Sequence, residues 1–166
     1  MRFAIACTVL ALAGCMQSSV LPADAGALFD PIAFFDGHTQ GNATLRKLFG
    51  EPVGVRVDSI GRSDGHGGLI LDQTIREGHT AARQRRWVFR ADGPGRYSGS
   101  LTDAAGPVEF VVAGPRAFIR YRMKNGLDVE QRLALQRDHH LVSNQLIVTK
   151  LGLRVARLDE QIRKLD

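Results

Sequence analysis

The chain of 166 residues carries 22 Lys plus Arg against 17 Asp plus Glu, a formal net charge of +5, and 44% of its residues are hydrophobic. That length suits one domain with its own core and not two, and a basic excess this small reads as a solvated surface, so no nucleic-acid partner is expected. The two cysteines, Cys7 and Cys15, both stand near the start, which argues against a disulfide framework.

Met1-Arg2 gives a positive start, and Phe3 to Ala13 is a nearly unbroken apolar run ending in small residues. This is the layout of a cleaved secretory signal. At about 11 residues the run is far short of the roughly 20 that a spanning helix needs. Its ending, Leu12-Ala13-Gly14-Cys15, resembles the bacterial lipobox. The resemblance implies diacylglycerol and palmitate on Cys15 after cleavage of residues 1–14, a firm membrane anchor. Met16 is not the aspartate that marks inner-membrane retention in enteric bacteria, so the periplasmic face of the outer membrane is the expected location. Residues 15–27 are small and polar and read as the lipidated Cys and a flexible tether, leaving 28–166 as a single domain.

Folded sequence begins at Phe29. Asp30 as N-cap, Pro31 at the first helical position and Gly37 just past the end describe one or two helical turns, with Phe34 and Phe35 set to plug an edge of the core. Seven turn signals follow, from Asp64-Gly65 through Glu77-Gly78, Asp92-Gly93-Pro94-Gly95, Ala105-Gly106-Pro107, Gly114-Pro115 and Asn125-Gly126 to Arg137-Asp138. Between them lie short β-branched and aromatic segments of period two, the pattern of an antiparallel meander. Val53-Val55-Val57 alternate with Arg56 and Asp58. Leu69, Leu71 and Ile75 share a face with Gln73. Trp87 and Phe89 alternate with Arg86, Val88 and Arg90, and Val108, Phe110 and Val112 form a further strand.

At Asn125-Gly126 two hairpin registers compete. A two-residue loop would set Met123 against Asp128 and Tyr121 against Glu130, burying charge beside apolar partners. A three-residue loop with a left-handed Gly126 instead pairs Met123 with Leu127, Tyr121 with Val129, Ile119 with Gln131 and Ala117 with Leu133, and sets Arg122 and Arg120 beside Asp128 and Glu130. The exposed pairs add a few tenths of a kcal/mol each at about that order, whereas unpaired buried charge costs on the order of several kcal/mol. The bulged hairpin is the expected one.

His139 to Lys150 suits a strand covered on both sides. In the tail, Leu151, Val155, Leu158, Ile162 and Leu165 fall at helical spacing, while Ala156, Leu158, Glu160 and Ile162 would make a weak strand, and periodicity favours a helix. The lipobox, Phe34-Phe35-Asp36-Gly37, Arg86-Trp87 before Phe89, Gly95, Tyr97 and Gly99, the Thr102-Asp103 to Gly106 turn, and Asn144 with Thr149-Lys150-Leu151-Gly152 together resemble a family of bacterial outer-membrane-type lipoproteins classed as a domain of unknown function. The resemblance implies an all-β, lipocalin-like (calycin-type) antiparallel barrel of about 8–10 strands with residues 154–164 as a closing strand. Leu133-Ala134-Leu135-Gln136 stands where many members carry an Asp-Asp-Trp run, so any role of that run does not transfer.

Enzymatic signatures are few. His139 and His140 would point to opposite faces of a strand and His66 and His79 sit at turns, so no metal ligand set is expected. Ser98, Ser100 and Ser143 lack the Gly-x-Ser-x-Gly elbow, and His66-Gly67-Gly68 lacks the Lys-Ser/Thr of a phosphate loop. No cofactor and no catalytic residue is indicated. Alternation points Gln73, Trp87, Tyr97, Tyr121 and Gln131 inward among aliphatics, a lining suited to a lipid or other amphiphile. Arg83, Arg85, Arg86 and Arg90 are expected on the outer, solvated face. An accessory subunit with an envelope protein partner is the alternative reading of the same features.

Overall fold

The computed structural model describes residues 21–166, and the expected leader and Cys15 lie outside the described residues. One helix, α1 (Pro31–Phe35), precedes ten strands: β1 (Gly37–Lys47), β2 (Val53–Ser63), β3 (Gly68–Glu77), β4 (Arg83–Ala91), β5 (Arg96–Leu101), β6 (Val108–Ala113), β7 (Arg116–Arg122), β8 (Asp128–Leu135), β9 (Leu141–Lys150) and β10 (Leu153–Lys164). Every strand is antiparallel to its sequence neighbours, and β1 pairs with β10 from Thr39↔Lys164 to Lys47↔Ala156, closing the barrel. Closure removes the two sheet edges that would otherwise invite pairing with other chains.

The β7–β8 hairpin takes the bulged register: Tyr121 faces Val129, Ile119 faces Gln131, Arg122 faces Asp128 and Arg120 faces Glu130. Gly126 sits at φ 81°, and the Met123 N–H donates to the Leu127 carbonyl at 2.7 Å. The tail is a strand and not the helix its spacing favoured. Pairing to both β1 and β9 along its length outweighs the amphipathic count, as tertiary context routinely does. The sequence reading also placed no strand before Val53. β1 is polar and contains Gly37 and Gly41, so its alternation is faint, yet it lines up residue for residue with β2.

The helix closes one end. Asp30 caps it, its carboxylate accepting from the N–H groups of Ile32 and Ala33 at 2.9 and 3.2 Å. Phe34 and Phe35 meet edge to face at 5.0 Å, and Phe29 adds a third ring 5.7 Å from Phe34. The ordered base starts earlier than the expected boundary at 28. The Asp24 N–H donates to the Leu135 carbonyl, Arg116 and Gln136 donate to the carbonyls of Leu21 and Pro22, and Ala27 is buried. Residues 21–27 are therefore laid against the closed end, held by hydrogen bonds rather than swinging as a tether.

Outward positions carry charge ladders. Asp72 on β3 joins Arg62 on β2 to Arg86 on β4, and Glu130 joins Arg120 to Arg132. Such a wall suits water, the reverse of a transmembrane barrel with its apolar outer band.

Candidate functional site

The barrel interior holds a cavity of about 720 Å³, running from Phe35 of the plug to a rim that includes Lys47, Leu48, Phe49, Arg83 and Asn125. This volume lies within the range of about 300–1,000 Å³ typical of small-molecule sites. Toward the rim its walls are apolar: Val55, Val57 and Ile75 form a cluster with Ala43, Leu45 and Leu158. Toward the plug the aromatic and aliphatic core closes in around Trp87, Phe89, Phe110, Leu133 and Ile162.

Between the two lies a belt of polar side chains, each flanked along its own strand by apolar neighbours at i−2 or i+2. One arm spans β2 to β4. Gln73 is its hub, donating to Ser59 Oγ at 3.1 Å and accepting from both Trp87 Nε1 and Arg85 Nε at 2.9 Å. The Arg85 guanidinium also lies 5.6 Å from the centre of the Trp87 ring, a cation–π contact. The other arm spans β7 to β10. Gln131 donates to the Tyr121 hydroxyl at 3.4 Å, Asn144 Nδ2 reaches Gln131 Oε1 at 3.4 Å, and the same amide donates to Glu160 Oε2 at 2.9 Å. Trp87 and Tyr121, edge to face at 5.8 Å, join the arms.

Glu160 is buried at 9% exposure. Burial pushes its carboxyl above the usual carboxylate range, and the Asn144 hydrogen bond and the Arg85 charge oppose that only in part. Burial also lowers Arg85 from its ordinary value and raises the Tyr121 hydroxyl; the guanidinium stays charged all the same. Two buried side-chain oxygens, Asn144 Oδ1 and Thr39 Oγ1, have no hydrogen-bond partner among the described residues.

Of the expected lining residues, Gln73, Trp87, Tyr121 and Gln131 face the cavity together. Tyr97 does not line it. It lies nearer the plug, where its ring packs 5.1 Å from Phe110 and 6.2 Å from Phe89 and fills the space it was expected to line. Arg83 and Arg85 turn inward, against the expectation of an outer basic face, because both share the parity of Trp87; Arg86 and Arg90 do point outward, to Asp72 and Asp64. Sequence reasoning missed Glu160, hidden by the helix-like spacing of its segment, and Ser59, a small residue among valines. Asn144 stood out only as part of the resemblance motif.

The fold is that of known structures at low identity. The S-type phycobiliprotein lyase CPES from Guillardia theta aligns over 81% of this chain and 90% of its own, with a TM-score of 0.63 and 8% identity. Rv2717c from M. tuberculosis aligns over 83% of this chain and 99% of its own, with a TM-score of 0.57 and 14% identity. A comparison with curated protein sequences returns no match. The family described as Protein of unknown function (DUF3833) matches residues 9–164, and the chain belongs to that family.

Proposed function

We propose that this protein is a membrane-anchored lipoprotein of the bacterial cell envelope that binds a lipid or other single-chain amphiphile inside its barrel. The observation that carries the reading is the cavity of about 720 Å³ with apolar walls toward the rim and a polar belt at depth. A filled barrel would serve as structure alone. An open one with this division of polar and apolar surface suits a molecule divided in the same way. The lipobox resemblance at Cys15 and the charged, water-facing outer wall support an anchored protein whose barrel stands clear of the bilayer.

The test is native mass spectrometry of the full chain released from the envelope in a mild detergent, followed by solvent extraction and lipid identification. A stoichiometric amphiphile, depleted in Gln131→Leu, is the expected result. A clean apo mass with no uptake of fatty acid or lysophospholipid would overturn the cavity reading and turn attention to a protein partner. Separately, metabolic labelling with palmitate should mark the wild type and not Cys15→Ser, and label in both would refute the anchor.

A further inference from the structure

The inward-facing cations of the cavity differ in how they are neutralised. At the rim, Lys47 meets Glu77 at 2.6 Å and Arg83 meets Asp103 at 3.1 Å. Deeper in, Arg85 has no carboxylate within ion-pair distance among the described residues; its Nε is used by Gln73, and its terminal nitrogens have no partner there. Across the belt, the carboxyl of Glu160 is disfavoured as an anion by burial, so the belt as a whole tends to positive charge. Asn144 Oδ1 is also unmet at this level, but as an acceptor it calls for a donor and not for an anion, so the charge preference rests on Arg85. The half-buried Arg85 thus presents charged donors to open cavity space, and covering such donors with apolar groups without a partner is costly.

These observations set the direction in which a chain-like ligand can lie. With its tail inward, alkyl groups would cover Arg85 and Gln73 and strip water from them with nothing in return. With its head inward, the polar end reaches the belt and the tail runs back between Val55, Ile75 and Leu158 to the rim. We infer that the belt is a headgroup site for a long-chain carboxylate, which enters carboxylate first and is held by the terminal nitrogens of Arg85. A charge-assisted contact of this kind favours an acid over the neutral alcohol of the same chain length. This inference rests on the amphiphile-binding reading and specifies its ligand class and orientation.

Trp87 is the only tryptophan in the chain and sits in the belt itself, so its fluorescence reports which end of a ligand is near. The full chain, held in a non-ionic detergent, is titrated with hexadecanoic acid brominated either beside the carboxylate or at the far end of the chain. The head-brominated acid should quench Trp87 strongly and the tail-brominated acid weakly. The reverse order would overturn the headgroup site while leaving amphiphile binding intact, and quenching by neither would remove both. Arg85→Met should weaken the acid about tenfold or more and leave hexadecanol within about twofold. An equal loss for acid and alcohol would show that Arg85 acts through the fold alone, against the inference. The brominated comparison in the unaltered protein stands even if the variant fails to fold.

Discussion

Glu160 and Gly41 share one spot on the inner wall. A Cβ on Gly41 would lie 2.0 Å from Glu160 Oε1, so the buried carboxylate occupies space that only glycine leaves open. Gly41→Ala should therefore break the Asn144–Glu160 contact, at about 1–3 kcal/mol by analogy with overpacked cores. In urea unfolding its cost should largely vanish on a Glu160→Ala background, and simple additivity of the two costs would refute the shared spot. The pH dependence of Glu160 follows from its environment. Its unfolded value is near 4.5 and its folded value is higher, so the neutral carboxyl contributes fully below about pH 4.5 and that contribution is lost as pH rises through the folded value. Glu160→Gln should raise Tm over the wild type by a margin that grows with pH above 4.5. A margin that is flat across that window would show no raised carboxyl. At this scale the sequence was half legible. Period two puts Gln73, Trp87, Tyr121 and Gln131 on the inner face from their apolar neighbours, and the same count taken back from Trp87 places Arg85 and Arg83 inside. The density of arginines between 83 and 90 masked that parity, because charge is expected outside.

Among the elements, the β7–β8 hairpin was legible in full because two local constraints agree. The turn chemistry of Asn125-Gly126 and the cost of burying Asp128, Glu130 or Arg132 select one register. Gly126→Val forces a β-branched residue into the left-handed region and should lower stability by about 1–2 kcal/mol; an unchanged urea midpoint would mean that the loop tolerates another turn. The closing helix was legible from Asp30, Pro31 and Gly37, but its seat was not, because Gly61 is distant in sequence. A Cβ there would fall 1.7 Å from the Phe35 carbonyl oxygen. Gly61→Ala should lift the plug, seen as faster amide exchange at Phe34 and Asp36, whose N–H groups bond the Asp30 and Ile32 carbonyls. Protection equal to wild type would count against that seat. β1 and β10 were the least legible elements. Each is polar, and each is fixed by pairing with the other across the longest separation in the chain, which local pattern does not encode.

For the whole molecule, the outer and inner surfaces respond to pH in opposite senses. Asp72, held by Arg86 and Arg62, and Asp128, held by Arg122, lie below the ordinary 3.8. Their contribution is present above that value and lost as pH falls through the folded one, whereas that of Glu160 is lost as pH rises. The urea midpoint should thus pass through a maximum on the acid side of neutrality. Added salt should flatten only the acid limb, since solvent reaches the half-buried aspartates whereas Glu160 is shielded. A single monotonic slope would contradict this division.

The seating of residues 21–27 against the closed end also bears on which way the barrel would look if Cys15 carries a lipid. From Cys15 to Leu21 an extended chain reaches at most about 22 Å, while tilted strands of this length make a wall on the order of 25–30 Å tall. A lipid on Cys15 would then tether the protein by its floor, and we propose that the barrel stands with its rim away from such a bilayer. A fluorophore at Phe49, which is 84% exposed on the rim, should stay beyond the reach of quenchers embedded in that bilayer, and strong quenching would show a barrel lying on its side. Held upright in that way, the open end with its exposed Leu48, Phe49, Leu151 and Leu153 would face away from an anchoring membrane, and whatever passes through it would be exchanged with the space or the surface opposite.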